Sequence, residues 1–322
     1  MIKVKKVSRN FGHIEAVKDV SFDVERGEVL GFLGPNGAGK TTTMRVVTGY
    51  LEPSQGEVHI NGVNMQSDPE AAKKMIGYLP ENAPVYRDMH VLGFLKFVAA
   101  IRDLKGKKAS DAIDAAISTC HLEHVLYQSI DTLSKGYTRR TVLAQSILHD
   151  PPVLILDEPT DGLDPNQKYE VRAMINRMSK DKAIIISTHI LEEVDSCCTR
   201  ALIIAEGKII ANGTPDELKK ISPTSNTVVM KLAGCDFESV RDSVGQIPSV
   251  GRVLKIGEGD GTVTARVFPA SSHSPAGIAP EIASYVVNKG WKIIEIYPDP
   301  GKLDEVFRKI TLNDMKKQGN DI

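Results

Sequence analysis

The stretch that most limits what this chain can fold into is Gly34-Pro35-Asn36-Gly37-Ala38-Gly39-Lys40-Thr41, which fits the pattern G-x-x-x-x-G-K-[ST]. Residues 28–33 before it predict a short buried strand, and residues 42–47 after it predict a helix that ends near Gly49. The glycines let backbone N–H groups turn toward phosphate oxygens at a helix N-terminus. A glycine-rich turn that matched the pattern by chance would not be expected to have a strand before it and a helix after it. The sequence therefore predicts a phosphate-binding loop in an α/β fold.

Two carboxylates further along the chain fit the same chemistry. The apolar run 153–156 predicts a strand buried on both faces, and Asp157 and Glu158 follow it directly. In a phosphoryl-transfer site, Lys40 would neutralise the β- and γ-phosphates, while the Thr41 hydroxyl and Asp157 would hold Mg²⁺. Glu158 would polarise the attacking water. Taken alone, the Asp-Glu pair also suits a helix cap or a turn after a strand.

A second glycine-containing turn, Leu133–Tyr137, lies upstream of that carboxylate pair. With these three segments in this order, residues 1–219 resemble one complete nucleotide-binding domain of the ATP-binding cassette (ABC) family. The resemblance implies a P-loop NTPase cassette with a RecA-like core, an antiparallel β subdomain, and a helical subdomain over about 82–145. It also implies ATP and Mg²⁺ as ligands, and a second copy of the chain as a partner.

The resemblance assigns each residue of the ATP site a role. The ATP-binding residues that it implies are Phe11, Gly34, Pro35, Asn36, Gly37, Ala38, Gly39, Lys40, Thr41, Thr42 and Glu81. Phe11 would stack on adenine, although a core aromatic of an edge strand is nearly as good an interpretation. Glu81 stands where most members carry a glutamine. His189 would bind the γ-phosphate and orient the water from the side opposite Glu158, and Asp164 would lie between two ATP sites.

The turn at Leu133–Tyr137 resembles the family signature, which completes the ATP site of another copy. Ser134 and Gly136 match its usual form, and they would meet the partner's γ-phosphate with a hydroxyl donor and a bare backbone. Lys135 replaces a glycine and Tyr137 replaces a glutamine. With the loop around Glu81, these departures resemble the branch that serves multidrug-type, ABC-2 and gliding-motility exporters.

Composition narrows the functional class further. The net charge of −1 over 322 residues does not suit a strongly basic nucleic-acid binder, so no nucleic-acid partner is expected. No apolar stretch is long enough to cross a bilayer, and the alternating N-terminus does not resemble a signal peptide. The four cysteines lack metal-ligand spacing. We expect a cytoplasmic protein, peripheral on the cytoplasmic face of the cell membrane.

A second, smaller domain is expected beyond the cassette. Residues 220–226 predict a linker, and residues 227–311 predict an accessory α+β domain. Its β-α-β-β-α-β order indicates a ferredoxin-like sandwich, followed by a helix over 303–310. Residues 312–322 predict a polar, disordered tail.

The function expected from this resemblance is an ATP-hydrolysing subunit that dimerises around ATP and powers a separate integral membrane permease, of the ABC-2 exporter type. Tyr86, Arg87 and Met89 would contact that permease. The alternative is a soluble ABC ATPase that acts on ribosomes or DNA. Such proteins usually carry two cassettes or long coiled-coil insertions, and neither occurs in this sequence.

Overall fold

The computed structural model describes residues 1–82, 84–270 and 274–309. The chain divides into two compact units, Met1–Pro215 and Asp216–Ile322. The division falls four residues before the predicted end of the cassette at residue 219. The predicted tail and the last residue of the predicted 303–310 helix lie outside the described residues.

The elements of the first unit alternate strands and helices through most of its length. In chain order they are β1 (Ile2–Phe11), β2 (Ile14–Val24), β3 (Val29–Leu33), α1 (Lys40–Val47), β4 (Gln55–Ile60), β5 (Val63–Asn64), α2 (Pro69–Lys74), β6 (Ile76–Leu79), α3 (Val91–Ile101), α4 (Gly106–Cys120), α5 (Lys135–Ile147), β7 (Val153–Asp157), α6 (Pro165–Met178), β8 (Ala183–Thr188), α7 (Leu191–Cys197), β9 (Arg200–Ala205) and β10 (Lys208–Gly213). Two short 3₁₀ turns, Glu123–Val125 and Ile130–Thr132, lie between α4 and α5.

Two sheets share the core of this unit. One is antiparallel, in the order β2-β1-β4-β5, and the other is six-stranded, in the order β10-β9-β3-β8-β7-β6, with parallel pairing from β9 through β6. Every residue of β3, β7 and β8 is buried, as expected for strands covered on both faces. Fully burying each large apolar side chain contributes roughly 1.5–3 kcal/mol. This core fixes the carboxyl ends of β3, β7 and β8 side by side.

The second unit is a four-stranded antiparallel sheet with helices. Its elements are β11 (Thr227–Ala233), α9 (Phe237–Val244), β12 (Val250–Gly259), β13 (Thr262–Pro269), α10 (Pro275–Asn288) and β14 (Lys292–Asp299), with residues 303–309 also helical. A short helix, α8 (Pro215–Lys219), stands at the division between the units. The strand order β12-β13-β11-β14 is that of a ferredoxin-like sandwich, which confirms the predicted fold class.

The segment predicted as a linker, residues 220–226, packs within the second unit. Ser222 is buried, and its hydroxyl and that of Thr224 both donate hydrogen bonds to the carboxylate of Glu305. These bonds lower the pKa of Glu305, although partial burial, the largest influence on that group, acts in the opposite direction.

Candidate nucleotide site

The loop from Gly34 to Lys40 joins the carboxyl end of β3 to the first residue of α1. Gly37 and Gly39 have positive φ angles of 81° and 102°, a conformation that favours glycine. A side chain on Gly39 would also lie 2.6 Å from the carbonyl oxygen of Ala16. The loop therefore needs glycine at this position for both its backbone conformation and its packing. It presents the N-terminus of α1 to the cavity beside it.

Lys40 is held inside this loop. Its Nζ donates to the carbonyl oxygens of Gly34 at 2.7 Å and Pro35 at 3.3 Å, and lies 3.8 Å from Oε1 of Glu158. Burial lowers the pKa of the Lys40 ammonium, and the carboxylates of Glu158, Asp157 and Glu81 act in the opposite direction. The ammonium thus lies at the mouth of an anion-binding loop, where its bonds to carbonyl oxygens could be exchanged for bonds to phosphate.

The two carboxylates after β7 are placed differently. Asp157 is fully buried, and its Oδ1 accepts a hydrogen bond from the Ser187 hydroxyl of the neighbouring strand β8. Its Oδ2 is buried without a hydrogen-bond partner among the described residues. A buried, unpartnered carboxylate oxygen is costly unless a cation or bound water satisfies it. Oxygen donors from Asp157 and the Thr41 hydroxyl suit Mg²⁺, so these residues fit the predicted metal.

Glu158 turns away from the strand toward the cavity. Its φ angle is +50°, and its N–H donates to the carbonyl oxygen of Ser187 at 3.0 Å. Its Oε2 lies 2.9 Å from Nδ1 of His189, and its Oε1 faces Lys40. This direct contact was not predicted from the sequence, and the side from which His189 would orient the attacking water stays a prediction. The two side chains are direct neighbours because β7 and β8 are adjacent in the sheet.

A cavity of about 520 Å³ opens over the loop and these side chains. It is lined by Ala16, Pro35, Asn36, Gly37, Gly39, Lys40, Thr41, Thr42, Glu81, Glu158, Asp161 and His189. The structure therefore brings Glu81 and both predicted catalytic residues to the phosphate loop. Asp161 was not predicted, because an acidic residue in a loop after a strand carries no distinctive sequence pattern.

Phe11 is not among the residues that line this cavity. It ends β1 with 45% of its surface exposed, and the Arg9 guanidinium lies 4.9 Å from its ring centroid. This arrangement does not fit the alternative interpretation of Phe11 as a core aromatic. Stacking on adenine remains a prediction.

The signature turn is also separate from the cavity, whose lining includes none of its residues among those the structure describes. Ser134 caps α5 by accepting a hydrogen bond from the Tyr137 N–H at 3.4 Å. Gly136 is buried, and a side chain there would lie 2.5 Å from the Gln167 amide. That amide is the far end of a flexible side chain that can move aside, so packing within the chain is only a weak requirement for this glycine, and its approach to a partner's phosphate stays a prediction.

The remaining predicted residues have local roles. Lys135 lies beside Gly162, and the Tyr137 ring centroid is 5.4 Å from the Arg140 guanidinium. Asp164 caps α6, its Oδ1 accepting from the Gln167 N–H at 2.9 Å. Their predicted roles in a neighbouring copy's site stay predictions.

Comparison with known proteins agrees with this geometry. Residues 17–161 match the family model described as ABC transporter. The Nod factor export ATP-binding protein I of Burkholderia lata is 32% identical over 244 residues, which cover 76% of this chain and 80% of that protein. The structure of cbiO1 from Clostridium perfringens, part of the ABC transporter complex cbiONQ, aligns with a TM-score of 0.62 and 30% identity over 67% of this chain and 89% of that one.

The chain belongs to the ABC transporter ATP-binding family, as its three motifs predict. A further relative, the probable multidrug ABC transporter ATP-binding protein YbhF of Escherichia coli, is 34% identical over 220 residues, or 68% of this chain. This chain spans only 38% of the length of YbhF. No helix within the described residues has the length and apolar character needed to cross a membrane.

Proposed function

We propose that this protein binds and hydrolyses ATP, and that the hydrolysis powers a separate membrane permease. The observation that carries the proposal is the meeting of Lys40, Glu158 and His189 at one cavity beside the phosphate loop, with Lys40 3.8 Å and His189 2.9 Å from opposite oxygens of the same carboxylate. An anion-binding loop and a positioned general base are the parts that phosphoryl transfer to water requires.

Each side chain of the site has its own role in hydrolysis. Lys40 neutralises phosphate charge, and the Glu158 carboxylate accepts a hydrogen bond from the attacking water and orients it. His189 holds the other oxygen of Glu158, which limits the rotation of that carboxylate. Thr41 and Asp157 would hold Mg²⁺, which when bound supplies positive charge next to the phosphates. ATP and Mg²⁺ are thus the proposed substrate and cofactor.

A second copy of the chain would complete each ATP site. Support comes from the signature turn: Ser134 is exposed at the N-terminus of α5 and lines no part of the cavity over its own phosphate loop. Helix N-termini favour anions, so this turn suits a phosphate that another copy presents. ATP held between two copies would favour the closed dimer, since it contacts both only in that state.

The permease would dock in a groove of about 1000 Å³ beside the Glu81 loop. Five cations line this groove (Arg45, Arg87, Arg102, Lys135 and Arg139), against three carboxylates (Glu81, Asp131 and Asp161). The excess of positive charge favours a partner segment that carries carboxylates. Of the three residues predicted to contact the permease, Arg87 lines the groove; Tyr86 is exposed and packs edge-on against Phe97.

The relatives named for Nod factor export and for multidrug transport support an ABC-2 exporter as the partner. A subunit of this kind would be cytoplasmic and peripheral on the cytoplasmic face of the membrane. The test is co-expression with a candidate six-span permease, followed by affinity purification in detergent and an assay of ATP hydrolysis. We expect copurification, and ATP hydrolysis that requires Mg²⁺ and disappears with Lys40→Ala.

A matched pair of variants tests the groove itself. Arg87→Glu reverses a groove charge, whereas Lys74→Glu reverses an exposed charge on α2, outside the groove lining. We expect Arg87→Glu to weaken permease capture and Lys74→Glu to leave it intact. Equal capture by both variants would contradict the docking site, and copurification with ribosomes or DNA in place of a membrane protein would favour the alternative function.

A further inference from the structure

One side chain outside the three family motifs contacts most of the backbone around the proposed base. Arg139 lies on α5, two residues beyond the signature. Its guanidinium donates hydrogen bonds to five carbonyl oxygens: those of Pro80 at 3.1 Å, Glu81 at 2.8 Å, Asp157 at 2.5 Å, Pro159 at 3.2 Å and Glu158.

This bonding pattern is specific to an arginine. A guanidinium presents five N–H donors in a rigid plane, whereas a lysine ammonium has three donors on a flexible stem. Burial lowers the pKa of Arg139, and the carboxylates of Asp157, Asp161, Glu158 and Glu81 act in the opposite direction. Within the described residues, the hydrogen bonds of this guanidinium all go to main-chain oxygens, so the group acts as a clamp on two backbone segments.

The clamp reaches a residue whose backbone conformation is unfavourable for a non-glycine residue. Glu158 has a φ angle of +50°, which costs a non-glycine residue free energy and persists only where neighbours hold it. Its N–H is bonded to the carbonyl oxygen of Ser187, and its carbonyl oxygen is bonded to Arg139. Both peptide groups of the proposed base are therefore fixed, one by β8 and the other by α5.

We propose that Arg139 is a positioning residue that sets the placement of Glu158 for water activation and ties it to the Glu81 loop and to the signature helix. The inference rests on the proposed ATPase function. One guanidinium joins the Glu81 peptide, which borders the permease groove, to the Glu158 peptide, which borders the ATP cavity. Any shift of α5 moves this clamp, so the position of the signature helix and the geometry of the base are coupled.

The predicted loss falls on the chemical step. Arg139 is not among the residues that line the cavity over the phosphate loop, so removing its guanidinium should leave ATP affinity nearly unchanged. A base displaced by about 1 Å can lose on the order of 100-fold in rate. We therefore expect Arg139→Gln to lower kcat by roughly 10- to 100-fold while KM for ATP changes by less than about threefold.

Two further variants separate positioning from general destabilisation. Arg139→Lys keeps the charge but not the planar fork, so its kcat should lie between those of Arg139→Gln and the wild type. Arg172→Gln is the matched control: Arg172 is a half-buried arginine on α6 that is not among the residues lining the groove or the ATP cavity, and no hydrogen bond joins its side chain to residues 157–159 within the described structure. We expect the control to hydrolyse ATP like the wild type.

The experiment measures Mg²⁺-dependent ATP hydrolysis of the purified full-length chain, ATP binding by a fluorescent analogue, and Tm for all four proteins. A kcat of Arg139→Gln equal to that of the wild type, or a parallel loss in Arg172→Gln, would overturn the proposal. If Arg139→Gln does not fold, Arg139→Lys decides by the same criteria. A wild type without ATPase activity would refute the proposed function, whereas an active wild type with unaffected Arg139 variants would refute this inference alone.

Discussion

The phosphate loop and the signature turn are both glycine-containing turns that lead into a helix, yet their surroundings differ. Around the phosphate loop, side chains from the segments that follow three parallel strands meet within one chain, and Glu158 contacts both Lys40 and His189. Around the signature turn, Ser134 and Lys135 are exposed, and Gly136 is buried against Gln167. The first region brings the predicted phosphate-binding and catalytic side chains together at one cavity. The second has a folded helix N-terminus, and within the described structure none of its residues lines that cavity.

The largest effect is expected at the phosphate loop. Glu158→Gln removes the proposed base but keeps the size of the side chain, so hydrolysis should fall by roughly 10²- to 10⁴-fold while ATP still binds. Single-turnover hydrolysis and equilibrium ATP binding measure the two effects separately. Glu192→Gln, an exposed change on α7, is the control. Hydrolysis within a few-fold of wild type in Glu158→Gln would assign the base elsewhere.

The next effect concerns the signature turn. There we expect loss of dimerisation, not a direct loss of the proposed base. Ser134→Arg places a bulky side chain where a partner's phosphate would lie, so ATP-induced dimerisation should disappear while each monomer still binds ATP. Light scattering of the Glu158→Gln chain, with and without Ser134→Arg, measures this. Because Ser134 also caps α5, Asp236→Ala is the control; it removes the corresponding cap of α9. Dimers that persist in Ser134→Arg would contradict the role of the turn.

The sequence predicts the functional residues that belong to short motifs, because residues close together in the sequence form those parts of the site. The phosphate loop and the two carboxylates after β7 could be predicted because a glycine pattern and an apolar run define them. Arg139 and Asp161 could not, since their partners are backbone groups or loops that only the packing of α5 against the sheet brings near. The direct contact of His189 with Glu158 was likewise missed, because it depends on strand order.

A smaller effect separates the two reasons for a glycine in the signature turn. Gly136→Ala would place a methyl group against the amide end of the flexible Gln167 side chain, which can move aside, and alanine favours a helix over glycine. The free energy of unfolding should therefore change by less than about 1 kcal/mol, with or without Gln167→Ala. Denaturant unfolding of the single and double variants measures both changes. A loss of about 1–3 kcal/mol that Gln167→Ala recovers would show that packing within one chain requires the glycine.

A similarly small effect tests Asp164, the residue that caps α6. If its main role in the monomer is to cap α6, Asp164→Ala should cost about 1 kcal/mol of stability and Asp164→Asn almost none, because asparagine caps as well as aspartate. Thermal unfolding of both variants measures this. An equal loss in both would indicate that the charge, and not the cap, is what stabilises the monomer.

The central claim is that each ATP site takes its phosphate loop from one copy and its signature turn from the other. The direct measurement mixes two inactive variants, Lys40→Ala and Ser134→Arg, and assays ATP hydrolysis. In a mixed dimer, one site combines both defects and the other combines an intact phosphate loop with an intact signature turn. If exchange is random and an intact site works alone, the mixture should recover about one quarter of wild-type activity. A mixture as inactive as its separate components, with mixed dimers shown to form, would contradict the shared site.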